Sequence, residues 1–184
     1  MSNDPNSIIE RLSDHYQITE VKEQKASLMF LKIPKEDAVQ FIRELRDGAH
    51  YTHLNFLTAI DYIEDGHFTL TYMLHNYDLH HSIGVHVDID REAAEMDSIH
   101  ELWAQAQTYQ RELREMYGIR FPGSPRLDDD FCLEGWDEIP PMRKEFDTVA
   151  YSRDRFFDRE GRLTEDPRTV MRQIMYPTHS DSTD

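Results

Sequence analysis

Five of the ten histidines, His67, His75, His80, His81 and His86, fall within one stretch rich in alternating apolar residues. Imidazole is the commonest protein ligand for a transition metal, so the first chemistry to weigh is a metal centre. The spacing argues against it. Residues two apart share a strand face, which puts His80 and His86 on one side and His81 on the other. No His-x-His pair and no His-Glu-x-x-His helix supplies adjacent ligands. Exposed or hydrogen-bonded strand histidines are the plainer reading, and a freestanding metal-dependent enzyme using them is the alternative. Asp128, Asp129 and Asp130 have the oxygen chemistry for a hard cation, but three consecutive acids among prolines read first as a solvated charge run. Cys132 stands alone between Phe131 and Leu133. One thiol makes no internal disulfide and cannot hold an iron–sulfur cluster, which takes about four thiolates. A small buried hydrophobe is its expected role. Only seven glycines are present, and they form no phosphate loop, nucleotide fingerprint or Gly-x-Ser-x-Gly elbow. No catalytic residue, metal site or cofactor site emerges.

A different kind of chemistry is concentrated between Gln110 and Phe146. Arg111, Glu112, Arg114 and Glu115 run directly into Tyr117, Gly118 and Ile119 and then into a turn containing Pro122, Gly123 and Pro125. Further on come Trp136, Pro140, Pro141, Met142, Arg143, Lys144, Glu145 and Phe146. Arg111 and Glu115, four apart, are spaced for a surface ion pair. Taken together, fixed backbone, aromatics and arginines are the composition of a protein interface.

Bulk composition narrows the partners. With 36 acidic residues against 20 basic ones the net charge is -16, a field that repels nucleic acid and anionic lipid headgroups. No run approaches the roughly 18 apolar residues of a membrane span, and residues 1–5 lack a signal-peptide layout. The expectation is a cytoplasmic chain with no direct membrane insertion, attached to a membrane only through something else.

The elements that must position these residues read as α+β. A short helix starts at Asp4 and Pro5. Strand-forming residues from Tyr16 to Ile33 predict two strands, or one bent one, around a turn at Glu23, Gln24 and Lys25. An amphipathic helix follows over 35–47, with Gly48 as its left-handed stop. Period-two patterning then predicts a three-strand meander. Leu54, Phe56, Thr58 and Ile60 share one face of its first strand, and Phe68, Leu70, Tyr72 and Leu74 one face of its second. Asp65 and Gly66 form the hairpin, and the third strand covers 80–87. A long helix is predicted over 98–117, opened by a capping box from Ser98 to Glu101 and closed by Gly118. The expected fold is a mostly antiparallel sheet with helices packed on one face, followed by an irregular Pro/Gly-rich segment and an extended C-terminal tail. As domains this gives an α+β domain over 1–121, an ordered irregular docking segment over 122–146 and a partner-wrapping tail over 147–184, frayed at residues 179–184.

Residues 110–125, QRELREMYGIRFPGSP, resemble the signature of the thirty-kilodalton subunit of respiratory NADH:quinone oxidoreductase, complex I. A second block, Pro141, Met142, Arg143, Lys144, Glu145 and Phe146, is similar to that family's P-L-R-K-[DE]-[FY]. The chain departs from the pattern at Gln110, Glu115 and Ser124, and at Asp128 and Asp129, where the family carries two arginines. In these it looks closer to the related subunits of energy-converting membrane hydrogenases. The resemblance implies a cofactor-free subunit of the peripheral arm. It would be bound beside the large subunit of a complex I-like or hydrogenase complex and other peripheral-arm subunits, at the cytoplasmic face of the inner membrane. On that reading Arg111, Glu112, Tyr117, Gly118, Phe121, Pro125, Trp136, Pro141, Arg143 and Lys144 form or brace the partner contact. An adaptor unrelated to redox chemistry is the third reading of the same residues.

Overall fold

The computed structural model describes residues 4–156 together with Met171 and Met175. The chain divides into two compact units, Met1–Phe146 and Asp147–Asp184.

In the first unit a five-stranded sheet has the order β1-β2-β5-β4-β3, where β1 is Glu20–Lys25, β2 Leu28–Lys32, β3 His53–Tyr62, β4 His67–Asn76 and β5 His81–Asp90. Every neighbouring pair is antiparallel except β2 with β5. The fold is thus α+β with a mostly antiparallel sheet. β3, β4 and β5 form the expected meander. α1 (Pro5–Ser13) and α2 (Ala38–Asp47) come before it in the chain, and α3 (Ala106–Tyr117) after it.

One face of the sheet is apolar because alternate residues on each strand point to it. Met29 and Leu31, Ile83, Val85 and Val87, and Phe68, Leu70, Tyr72 and Leu74 are all buried there. The helices cover this face, contributing Ile8 and Leu12 from α1, Phe41, Ile42 and Leu45 from α2, and Leu113 and Tyr117 from α3. Side chains as large as Phe41 and Leu45, fully buried, each contribute about 1.5–3 kcal/mol. On the opposite face the strands present Phe30, Lys32, Thr69, Thr71, Met73, His75, Ser82 and His86, linked by short bonds such as Thr69 Oγ1 to Asp88 (2.7 Å) and Thr71 with His86 (2.9 Å).

Several local expectations are corrected. The β1–β2 turn lies at Ala26 and Ser27, because Lys25 still pairs with Leu28. Gly48 is not left-handed (φ -95). The chain tightens first through Ala49 N to Glu44 O, and the positive φ falls on His50 (φ 59). In β3 a bulge between Leu54 and Phe56 reverses the alternation. One extra residue shifts every later side chain to the other face. Leu54, Leu57, Ala59 and Asp61 therefore point inward, while Phe56, Thr58, Ile60 and Tyr62 point outward.

The long helix begins at Ala106 rather than Ser98, preceded by turns. The Ser98 hydroxyl, expected to cap, instead donates to Gln110 Oε1 (2.8 Å). Trp103 Nε1 donates to the Thr52 carbonyl of the residue preceding β3, and Gln105 Nε2 to the Leu54 carbonyl. Tertiary acceptors outcompete the extra helical turns.

In the second unit α4 (Thr148–Arg155) starts at Asp147, whose carboxylate accepts from the Val149 and Ala150 amides at 2.9 Å. Of the rest of the expected extended tail, residues 157–170, 172–174 and 176–184, including the end over 179–184, lie outside the described residues. Among the described residues no helix is long and apolar enough to cross a membrane.

Candidate docking site

Residues 122–146 contain no regular element, so their shape must come from individual contacts. Three groups supply them.

The first is the end of α3. Gly118 closes the helix in the left-handed region (φ 76), a conformation that an L side chain enters at a cost of roughly 1–2 kcal/mol. With no Cβ it leaves Pro140 and Arg143 close by, 3.4 and 3.6 Å from where one would sit. Arg143 Nε donates to the Tyr117 carbonyl (2.7 Å), and the Met142 amide to the Met116 carbonyl (3.0 Å). The terminal carbonyls of the helix, which lack partners within it, thus anchor the second block.

The second is Glu115. Its carboxylate accepts from the amides of Phe131 (2.7 Å), Cys132 (2.9 Å) and Leu133 (3.1 Å). Burial pushes this carboxyl up, but the three amides outweigh that and hold it below the usual range. The expected Arg111–Glu115 ion pair is absent, since the carboxylate is committed to the loop; Arg111 lies over the Phe131 ring instead (5.7 Å). Cys132 is exposed rather than buried, because the loop turns its amide inward to Glu115. Partial desolvation of the thiol where it meets α3, and then the Glu115 carboxylate 3.4 Å from Sγ, raise its pKa although the residue is exposed, the opposite of nucleophile activation.

The third is a charge cluster built on the buried pair Asp61 and Arg91. Arg91 Nε donates to Asp61 Oδ1 at 2.8 Å, and the guanidinium also meets Glu145. The Lys144 amide donates to Asp61 Oδ2 at 2.9 Å. Burial raises the Asp61 carboxyl, and Arg91 with the Lys144 amide more than reverses it, so the net direction is down. Arg91 and Arg143 both stack on Phe68, at 5.6 and 5.3 Å, and Tyr117 meets that ring edge-on at 5.8 Å. The Pro-Met-Arg-Lys-Glu-Phe block is thereby tied to β3, β4, the end of β5 and the end of α3.

The ten residues singled out in the sequence separate accordingly. Phe121 and Tyr117 are buried in the protein's own core. Gly118 and Arg143 brace the segment from within. Trp136 packs edge-on against Phe146 (5.5 Å) and donates to the Glu138 and Ile139 carbonyls. Arg111, Glu112 and Pro141 are half-buried, and Pro125 and Lys144 are exposed, with Lys144 Nζ 3.6 Å from Glu64. Around them Ile139 and Met142 are exposed apolar residues.

Sequence reasoning missed Asp61 and Arg91. Arg91 had a signal: the period-two series Ile83, Val85, Val87 and Ile89 continues to it, and a charge in a buried phase requires a partner.

The histidines are dispersed. His81 faces the core beside Tyr51 (2.9 Å), His86 and His75 bond Thr71 and Ser82 on the other face, and His80 sits in the turn before β5 (φ 48). Among the described residues no three His, Cys, Asp or Glu side chains are grouped to hold a metal ion. Asp128 and Asp129 pair with Arg114 (3.3 Å) and Arg126 (2.6 Å).

Residues 31–152 match the family described as respiratory-chain NADH dehydrogenase, 30 Kd subunit. The chain is 30% identical over 141 residues to the C subunit of NADH-quinone oxidoreductase from Moorella thermoacetica, covering 77% of this chain and 94% of that one. It is 32% identical over 139 residues to the corresponding protein of Hyphomonas neptunium, covering 72% and 66%. A chain in the structure of the membrane-bound sulfane sulfur reductase, an archaeal respiratory membrane complex, shares the fold. It has a TM-score of 0.71 at 23% identity and covers 84% of this chain and 96% of that one.

Proposed function

Because the chain belongs to the family of the 30-kilodalton subunit of respiratory-chain NADH dehydrogenase, we propose that it is a cofactor-free structural subunit of a membrane-attached redox complex. It docks on the large catalytic subunit, and residues 122–146 carry the contact. The observation that supports this most is the way that segment is held. An irregular stretch of chain is pinned by Glu115, Asp61, Arg91 and Gly118 while leaving Ile139, Met142 and Lys144 exposed. A surface ordered before binding does not lose that conformational freedom on association. Electron transfer then takes place in the partners, since a single exposed thiol with a raised pKa suits neither a cluster nor a redox nucleophile.

The same reading assigns the residues from Asp147 onward to the partner's surface and places the protein on the cytoplasmic side, next to other peripheral-arm subunits. Whether the host complex reduces quinone or is of the hydrogenase type is a matter of its other subunits. A tagged copy of this chain should bring down a large redox subunit in near-equal amount. Purified alone, it should contain no stoichiometric iron, nickel or flavin. Recovery of the lone chain as an active oxidoreductase with its own centre would overturn the proposal. Met142→Asp with Lys144→Glu should lower the yield of the complex while leaving the fold intact.

A further inference from the structure

The two edges of the sheet are built oppositely. β1, at one edge, exposes all six of its residues, and four of them are charged: Glu20, Lys22, Glu23 and Lys25. Charged edges discourage a further strand from adding. β3, at the other edge, is ten residues long and presents Phe56, Thr58, Ile60 and Tyr62 outward with no charge among them. Phe56 is 39% and Ile60 44% exposed.

This exposure is produced by the bulge. Without it the alternation set by Leu54 would turn Phe56 and Ile60 into the core. Bulges commonly re-aim side chains in this way at sheet edges. The result is a strand apolar on both faces, Leu57 and Ala59 inside and Phe56 and Ile60 outside, the pattern of a strand covered on both sides.

The edge is also partly closed by the protein itself. At its start the carbonyls of Thr52, Leu54 and Asn55 accept from Trp103 Nε1, Gln105 Nε2 and Tyr109 OH. At its end the strand turns back into β4, with the Tyr62 carbonyl accepting from the Asp65 amide inside the hairpin. Between them lies a window over residues 56–60, roughly 16 Å long. Among the described residues its backbone bonds only to β4.

We propose that this window of β3 receives an extended strand of a partner subunit, which adds to the sheet edge as a sixth strand. Main-chain bonds would hold such a strand, and alternate apolar side chains would lie beside Phe56 and Ile60 as cross-strand neighbours. The turn beyond the window carries the exposed acids Asp65 and Glu64, the latter already 3.6 Å from Lys144 Nζ, in a chain of net charge -16. The strand that fits is therefore apolar at alternate positions and basic at the end reaching that turn. The inference rests on the subunit reading above; its window over residues 56–60 lies apart from residues 122–146, which reach this edge only at the turn, where Lys144 meets Glu64.

The test is amide hydrogen exchange over residues 56–60, in the purified chain and in the complex recovered from its host through a tag on this chain. In a strand paired on one side, alternate amides exchange fast. On assembly the fast set should slow by about tenfold or more. Phe56→Lys with Ile60→Lys, checked for folding by circular dichroism, should lower the recovered partner by about tenfold, as a charged edge does. Subunits retained while those amides stay fast, or undiminished recovery with the lysine variant, would overturn the edge proposal and leave the subunit reading standing. A wild-type chain that brings down no subunit would overturn both. Concentration-dependent dimers of the purified chain, protected at the same amides, would identify a second copy as the occupant and also overturn it.

Discussion

Asp61 on β3 and Arg91, the residue after β5, are joined by a two-point bond, Nε to Oδ1 at 2.8 Å and Nη2 to Oδ2 at 3.1 Å, with both side chains almost excluded from water. Thirty residues apart in sequence, they make the seat on which the Lys144 amide and Glu145 rest. Asp61→Ala leaves a buried guanidinium with one partner fewer and should destabilise the protein by about 3–5 kcal/mol. Urea denaturation measures it. The double variant Asp61→Leu with Arg91→Met should lose less than Asp61→Ala alone, because no uncompensated charge remains.

Glu115 gives a more local prediction. Glu115→Ala withdraws the acceptor from three amides of the 131–133 loop and should cost about 1–3 kcal/mol. In hydrogen exchange the amides of Phe131, Cys132 and Leu133 should lose protection while those of β4 and β5 keep theirs. Protection unchanged in the loop would mean that its shape has another source.

Gly118→Ala places a Cβ on a residue at φ 76, within ordinary contact distance of Pro140 and Arg143. The cost is then mainly conformational, about 1–2 kcal/mol. Calorimetry should show a lower Tm, and the bond from Arg143 to the Tyr117 carbonyl should loosen with it, releasing residues 140–146 to proteolysis.

Stability should fall in two stages as the solution is acidified. Burial lowers the pKa of His81 and of His86, so the unfolded chain takes up protons first. Stability is full above the ordinary histidine value of about 6.5 and declines below it. In Asp61, Asp88, Glu115 and Glu145 burial raises the carboxyl, but cationic or amide partners reverse it and the net direction is down. Their contribution is present above the unfolded value of about 4 and is lost as pH falls further, through the folded values. Thermal melts between pH 8 and pH 3 should show both declines. His86→Asn should shrink the first, and Glu115→Gln the second.

Much of this was legible along the chain. The meander followed from period-two patterning and the Asp65–Gly66 turn, α2 from its 3.6-residue period, and the family from two motifs that carry their identity in local order. All of these depend on neighbours in sequence, which a linear reading sees directly. The bulge at Asn55 could not be read, because pairing with β4 decides where an extra residue is accommodated, and that one residue exchanged the faces of Phe56 and Leu57. Ser98 looked like a helix cap until Gln110 took its hydroxyl and β3 took Gln105. Glu115 looked like a surface charge until the loop at 131–133 folded over it.

What the amino-acid sequence determined by itself was therefore the element types, the acidic character, the scarcity of thiols and the membership of the family, all properties of composition and short-range period. The tertiary structure alone decided which charges are buried and whom they meet. Asp61, Arg91 and Glu145 lie far apart in the chain, and the free energy of a buried ion depends on what stands within a few ångströms of it. Only the folded sheet, with residues 140–146 packed against it, brings those three into range and so gives that segment its shape.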